Sequence, residues 1–371
     1  MRPIFTVPAD FQTDSLNRHI SDNQDRDIKI EEVYGSVKNA HYGAGRRNFD
    51  LQDVQWDSFC NYIKACNAKG IEFNYTLNAS CMHNEEYIKG KRNSLIEHVG
   101  TLYDAGVRSF TIAIPAVADL IGSIFSDVKI TLSIIAGIDT PEKLKMFSSI
   151  HGLKNVYIHE KLNRRPKQIK AITSIADFYD INVGMIVNSF CLADCPYRQF
   201  HYNFTGHLTD LSDYVTEDYY YFLCQKEKAT NPKSILNASW VRPNDMQYFL
   251  DAGIKRFKLA GRERNLKHPQ YGRVVDAYNC RSYDGDITML LTCFVDNSLS
   301  RLFSIPNGPE LDAFMKSVLN GSLVCNKDGC TNCNACQKTL DVMHVDIEAR
   351  NQWVQFCKQQ IETFLTQHRA K

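Results

Sequence analysis

Asp104-Ala-Gly-Val-Arg-Ser-Phe-Thr-Ile-Ala113 and Asp251-Ala-Gly-Ile-Lys-Arg-Phe-Lys-Leu-Ala260 are two copies of one local pattern. Each reads as the end of a helix, a glycine turn and a strand. Glycine permits the left-handed backbone on which a helix stops and the chain reverses. Two copies of one supersecondary unit point to a repeated β/α architecture.

Working outward, the alternation of strand and helix continues along most of the chain, the signature of a parallel sheet covered by helices. Strand-like segments begin near Ile4, Ile28, Ile71, Phe110, Ile130, Val156, Val183 and Phe257. They read as 4–8, 28–35, 71–77, 130–135, 156–159 and 183–187, with the remaining two inside the repeated units. Helices are expected over about 51–68, 84–104, 141–150 and 166–179. Eight strands suit a closed TIM-type (β/α)8 barrel; an open doubly wound sheet is the alternative. The expected domains are a barrel over 1–285 and a cysteine-rich C-terminal extension over 286–371. A long insertion, 188–245, breaks the alternation after the seventh strand, where insertions commonly carry function. The extension opens with a strand-like apolar run, Ile287–Val295, and closes with a helix over about 346–369.

Apolar residues make up 44% of the 371, enough for a large core, and no run approaches the ~20 needed to span a bilayer. The start lacks the apolar segment and cleavage site of a signal peptide, so a cytoplasmic location is expected. Forty-three basic against 42 acidic residues leave a formal net charge of +1, with no global drive towards nucleic acid. Two local basic stretches, Lys161–Lys167 and Arg262–Lys267, fit either a solvated surface or an RNA backbone.

Thirteen cysteines are many for a cytoplasmic protein, and their odd number and clustering favour metal binding over disulfides. The densest group is Cys325-Asn-Lys-Asp-Gly-Cys330-Thr-Asn-Cys333-Asn-Ala-Cys336. Its two successive two-residue gaps let one short loop wrap a metal centre. Thiolates suit zinc as well as iron–sulfur, but the run is more ferredoxin-like than the paired pattern of zinc ribbons. A second group, Cys191-Leu-Ala-Asp-Cys195-Pro-Tyr-Arg-Gln-Phe-His201, follows directly on a strand, with Cys224 downstream. Cys81 follows the third strand in Asn78-Ala-Ser-Cys-Met-His83. On one barrel rim Cys81, Cys191, Cys195 and Cys224 would complete a four-thiolate site. Cys60, Cys66, Cys280, Cys293 and Cys357 read as structural, with Cys293 in an apolar strand.

Polar residues at strand ends are the candidates for substrate contact and proton transfer: Glu32, Tyr34, Asn78 and Arg262 foremost, then His41, Arg46, His83, Glu160, Asn188, Lys258 and Glu263. The Gly43-Ala-Gly45 loop lacks the third glycine of a dinucleotide fingerprint. His-Glu-x-x-His, Gly-x-Ser-x-Gly and Gly-Lys-Ser/Thr motifs are absent.

Three stretches resemble peptidase family U32, the collagenase-like group. They are Val33-Tyr-Gly-Ser36 with Tyr42-Gly-Ala-Gly-Arg-Arg-Asn-Phe49, Ile71-Glu-Phe-Asn-Tyr-Thr-Leu-Asn78, and Cys191–Phe200 with Phe257-Lys-Leu-Ala-Gly-Arg262. The resemblance spans roughly residues 4–280, and the cysteine stretch and the Ala-Gly-Arg strand are its most specific parts. It implies a barrel and oxygen-sensitive [4Fe-4S] clusters on cysteines, one or two here. Better understood members of the family assist oxygen-independent hydroxylation of RNA bases or of a quinone precursor, some taking the hydroxyl from prephenate. This chain departs from them in cysteine spacing, and its tail adds four more thiols. The expected function is an iron–sulfur-dependent hydroxylase or related redox enzyme acting on RNA or a small molecule. An electron-donor protein would serve it, with the tail cluster as a relay. The alternatives are a non-catalytic partner subunit stabilised by metal, with zinc in place of iron–sulfur, and a collagenase-like peptidase.

Overall fold

The computed structural model describes residues 2–38, 43–47, 51–207, 218–261, 271–292, 298–323 and 333–366. Eight strands run β1 (Ile4–Pro8), β2 (Lys29–Gly35), β3 (Glu72–Leu77), β4 (Ser109–Ile112), β5 (Lys129–Leu132), β6 (Leu153–Tyr157), β7 (Asn182–Ile186) and β8 (Arg256–Lys258). Each pairs in parallel with the next, and β8 pairs with β1, so the sheet closes into a barrel. The helices between strands are α1 (Thr13–Asp22), α2 (Trp56–Ala68), α3 (Lys89–Asp104), α4 (Pro115–Ile124), α5 (Pro141–Phe147) and α6 (Pro166–Phe178). Between β7 and β8 come α7 (Arg198–His207), α8 (Tyr219–Thr230), α9 (Lys233–Leu236) and α10 (Met246–Asp251). The two repeated units behave as their glycines demand: α3 ends at Asp104 and turns at Gly106 (φ +102°) into β4, and α10 ends at Asp251 and turns at Gly253 (φ +89°) into β8.

Strand residues alternate between two environments, as a period of two requires. Phe5, Val33, Phe73, Phe110, Ile130, Val156, Val183 and Phe257 are buried in the apolar core. The other face is polar and meets in the barrel lumen. The Glu32 carboxylate accepts from Arg256 Nη2 at 2.5 Å and from Asn74 Nδ2 at 3.3 Å. Asn74 also donates to Ser109 Oγ (3.0 Å) and Thr131 Oγ1 (3.4 Å), and accepts from Thr111 Oγ1 (2.6 Å). Tyr157 Oη donates to Thr6 Oγ1 across 3.2 Å. β1 and β6 are not neighbours, so this last bond crosses the lumen. Such polar groups are tolerated because they satisfy one another.

The chain continues through α11 (Tyr271–Cys280), α12 (Ile287–Thr292), α13 (Ser298–Leu302), β9 (Phe303–Ser304), α14 (Pro309–Leu319), α15 (Gln337–Val342), β10 (His344–Val345) and α16 (Ile347–Thr366). β9 and β10 form a small antiparallel pair. Buried Arg242, after α9, anchors α14 by donating to Asp312 Oδ1 at 2.5 Å and to Asn307 Oδ1 at 2.9 Å. α16 lies along α8, with Phe222 and Phe356 ring centroids 5.8 Å apart, Tyr219 and Phe364 4.7 Å apart, and Cys357 fully buried.

Three expectations need correction. The apolar run from Ile287 is helical over Ile287–Thr292, not a strand; residues 293–297, Cys293 among them, lie outside the described residues. A short apolar run carries no period that separates buried helix from strand. Asp286 decides it, accepting the Thr288 backbone N–H on Oδ1 at 2.8 Å as a helix cap does. The sixth strand is displaced towards the N-terminus, Leu153–Tyr157, and the fifth ends at Leu132 where Ser133 starts a turn of 3-10 helix. α1 and α4 fall in stretches for which the sequence raised no expectation. α4 is apolar on most sides, and its Gly122 is needed because a Cβ there would lie 1.8 Å from the His151 carbonyl oxygen. Among the described residues no helix is long and apolar enough to cross a membrane.

Two stability tests follow from the buried polar groups. Glu32→Ala leaves the Arg256 guanidinium buried without its anion and should cost roughly 3–5 kcal/mol in urea unfolding, whereas replacing Glu32 and Arg256 together with apolar residues should recover much of that loss. Buried His19, on α1, has its pKa lowered to about 4 by burial first and then by the charges of Arg26 and Arg18. The unfolded chain therefore takes up this proton near pH 6.5 while the folded chain refuses it until about pH 4. The stabilisation is complete above the unfolded pKa and is lost as pH falls through that window, about 2 kcal/mol between pH 7.5 and 5. His19→Gln should flatten this limb of the stability profile.

Candidate active site beside a cysteine cluster

The carboxyl ends of the strands open into a cavity of about 630 Å³. The inward register decides its floor. Glu32 and Tyr34 share a face of β2, and Arg256 and Lys258 share a face of β8, so the Glu32–Arg256 pair lies one layer below Tyr34 and Lys258. The Lys258 ammonium sits 3.6 Å from the centroid of the Tyr34 ring and 5.1 Å from that of Tyr157. Tyr34 Oη donates to the Leu259 carbonyl at 2.8 Å, which fixes the ring. Burial, and then the Glu32 charge, push the Tyr157 hydroxyl up to about 12, so at neutral pH it is a donor and not a base.

The remaining wall comes from loops. Asn78 Nδ2 donates to Ser133 Oγ at 3.4 Å, and its Oδ1 accepts the Gly45 N–H at 2.9 Å. The Gly43–Gly45 glycines serve close approach: a Cβ on Gly43 would come 2.9 Å from the Gly206 carbonyl, and one on Gly45 2.9 Å from that of Asn78. This packing brings Arg46 and Arg47 to the cavity. Asn188, after β7, ties the β8 end in place by donating to the Ala260 carbonyl and accepting the Ala260 N–H.

The cysteine loop after β7 forms one side and is held at both ends of Cys191. The Cys191 N–H donates to Ser189 Oγ at 3.3 Å, and its carbonyl accepts the Ser239 N–H (3.0 Å) and hydroxyl (2.9 Å). Ser189 donates in turn to Glu160 Oε1 at 2.8 Å, and Glu160 pairs with Arg198, which also donates to the Leu192 carbonyl. Glu160 is thus neutralised and serves as a brace. Asp218 caps α8, accepting from the Tyr220 and Tyr221 N–H groups, and pairs with His201 Nε2 at 2.8 Å. These contacts set Cys191, Cys195 and Cys224 close enough for their charges to act on one another. Burial pushes the Cys191 and Cys195 thiols up, the Cys224 charge adds to this in both, and the Lys228 ammonium opposes it in both. Burial, with the Cys191 charge next, also pushes the Tyr202 hydroxyl up to about 12.

The structure thus brings Tyr34 and Asn78 to the cavity with Arg46, Glu160, Asn188, Lys258 and Cys191. Glu32 lies beneath the cavity in its ion pair. Arg262, with His41 and Glu263, lies outside the described residues. Cys81 sits on a loop packed against α7: Ser80 donates to Asn203, the His83 and His207 ring centroids are 3.9 Å apart, and the Cys81 sulfur accepts the His83 N–H. In the tail, Cys336 is buried at the start of α15, Cys333 accepts the Ala335 N–H, and Cys325 and Cys330 lie outside the described residues. Among the described residues, no three or more His, Cys, Asp or Glu side chains converge where a single metal ion would sit. The ten described cysteines form no disulfide. Sequence reasoning missed Arg47, Tyr202, Gln225 and Lys228. Helical spacing was the one available signal for Lys228, four residues after Cys224.

Residues 26–282 match the sequence profile of peptidase family U32. Over 307 residues the chain is 27% identical to an uncharacterized protease of Methanocaldococcus jannaschii, covering 81% of this chain and 84% of that protein. Among solved structures it is similar to the U32 peptidase Mk0906, with a TM-score of 0.48, 18% identity, and coverage of 70% of this chain and 93% of that one. It is also similar to an HpcH/HpaI aldolase from Desulfitobacterium hafniense, with a TM-score of 0.38, 9% identity, and coverage of 76% and 95%. The family profile takes in more than half of the chain, including β2 to β8, the cysteine loop and α8, and the protein therefore belongs to peptidase family U32.

Proposed function

We propose that this protein is an iron–sulfur enzyme that performs an oxygen-independent hydroxylation or a related redox modification on a substrate held in the barrel cavity. The observation that supports this reading is Cys191 in the cavity wall, with Cys195 on the same loop and Cys224 on α8 close enough for its charge to act on both. Cys191, Cys195 and Cys224 would hold the cluster, with Cys81 as the proposed fourth ligand. Such a cluster, when bound, supplies single-electron chemistry next to the cavity. The tail cysteines would carry a second cluster and receive electrons from a donor protein.

The chain's own residues account for binding. The cavity volume falls in the range of small-molecule sites, about 300–1,000 Å³. A small molecule, a quinone precursor or one extruded RNA base would fit that range. Arg46, Arg47, Lys228 and Lys258 are among its described lining residues, as are Glu160 and Asp218, which pair with Arg198 and His201. Tyr157 and Tyr202 stay protonated at neutral pH and offer hydrogen bonds.

The family name and the name of the archaeal relative favour a second reading, a peptidase. A cysteine nucleophile needs a depressed pKa, whereas the Cys191 and Cys195 thiols are pushed up, so the cavity supports this reading less well.

Iron and acid-labile sulfide, measured with an absorption spectrum after strictly anaerobic purification, separate the two. The expected result is about four of each per chain if the cavity group alone is filled and about eight if the tail is filled as well. Cys191→Ser with Cys195→Ser should remove about four of each. Zinc without sulfide, or peptide cleavage by metal-free protein that survives both replacements, would overturn the redox reading.

A further inference from the structure

The cavity wall contains a histidine oriented by a buried carboxylate. His201 lines the cavity from α7, with its side chain 37% exposed, and Asp218 lines it from the position just before α8. Asp218 is buried and its carboxylate is held at both oxygens. Oδ1 accepts the Tyr220 and Tyr221 N–H groups at 3.0 and 3.1 Å, and Oδ2 meets His201 Nε2 at 2.8 Å. An ionised carboxylate can only accept, so the Nε2 of a neutral imidazole beside it carries the proton and Nδ1 carries the lone pair. Among the described residues Nδ1 has no hydrogen-bond partner. A tie between two helices needs only a donor; the imidazole brings a second nitrogen, left over at the cavity wall. Other lining groups are already committed. Glu160 is paired with Arg198, and the Tyr157 and Tyr202 hydroxyls, pushed up to about 12, keep their protons at neutral pH. His201 is the only histidine among the described lining residues.

We propose that His201 is the proton-transfer group of the cavity, with Asp218 as its positioning residue: Asp218 holds the Nε2–H, and Nδ1 takes a proton from a hydroxyl or N–H group of the bound molecule. In this step the O–H or N–H bond of the bound molecule breaks, its electron pair stays on that molecule, and an Nδ1–H bond forms. The imidazolium that results has the Asp218 carboxylate 2.8 Å away to meet its charge. A base oriented by a third group is a recurring arrangement for proton transfer. The inference rests on the reading above in placing the substrate in the cavity, and it needs no metal.

The test uses diethylpyrocarbonate, which acylates an imidazole through a nitrogen lone pair, on anaerobically purified full-length protein. The rate at each histidine is read by peptide mass mapping in wild type and Asp218→Asn. Asparagine keeps the α8 cap, because its side-chain oxygen still accepts the two N–H groups. Its amide offers an N–H to the ring, which moves the ring proton to Nδ1 and removes the open lone pair. The expected result is acylation of His201 in folded wild type, slowed by roughly tenfold or more in Asp218→Asn at unchanged Tm. A purely structural pair, once loosened, would expose the ring and speed the reaction. An Asp218→Asn rate equal to or above wild type, or a His201 that the reagent does not modify in the folded protein, would overturn the assignment. Should Asp218→Asn fail to fold, nitrogen-15 shifts of histidine-labelled wild type, assigned with His201→Gln, decide it: a ring proton on Nε2 supports the dyad and one on Nδ1 overturns it. Protein without iron and sulfide would overturn the iron–sulfur reading and leave this inference standing, and an unreactive His201 in iron-loaded protein would do the reverse.

Discussion

The ion pair between Glu32 on β2 and Arg256 on β8 is the constraint on which the upper half of the barrel depends. Both side chains are almost fully buried, and two charges taken out of water are tolerated only with close geometry and further hydrogen bonds. Asn74 supplies one of these and passes the network on to Ser109, Thr111 and Thr131. Because strands keep a period of two, fixing Glu32 and Arg256 inward also fixes Tyr34 and Lys258 inward, one layer nearer the cavity. A slip of one residue in either strand would turn the pair and the cavity floor outward together. The stacked arrangement of Lys258 over Tyr34 is thus a consequence of a pair that never touches the cavity.

The cysteine wall depends on a second, separate set of contacts. Cys191 is held through its backbone by Ser189 and Ser239, and Glu160 with Arg198 braces the loop that leads to Cys195. Cys224 comes from α8, and α8 is in turn covered by α16 from the far end of the chain. One side of the site therefore rests on rigid barrel strands and the other on helices that the C-terminal extension supports. Replacing residues in α16 would reach the thiols through α8 without touching the barrel floor.

Much of the barrel was legible in the sequence because its signals are local. Asp104-Ala-Gly and Asp251-Ala-Gly mark helix ends by a glycine that must turn left-handed, and the strands that follow each are where the pattern places them. The Ile287 run was misread because six apolar residues carry no period, and the Asp286 cap that makes it a helix is one hydrogen bond. At the site, Tyr34 and Asn78 were visible as polar residues at strand ends, and Cys191 and Cys195 as closely spaced thiols. Glu32 looked the same as these from its position, yet it lies below the cavity; strand position shows which end a residue is near, not which layer its side chain occupies.

By itself the sequence determined the alternation of strands and helices, the glycine turns, the buried apolar face of each strand and the membership in family U32, all of which are set within a few residues or by matching stretches. Only the tertiary structure decided that Arg256 neutralises Glu32, that Arg198 neutralises Glu160, and that Cys191 and Lys228 line one cavity. The physical reason is that charge balance at a buried point is a sum over side chains from distant segments. Residues 32 and 256 meet only because a barrel closes, and 191 and 228 line one cavity only because α8 returns to the end of the barrel where β7 leaves it.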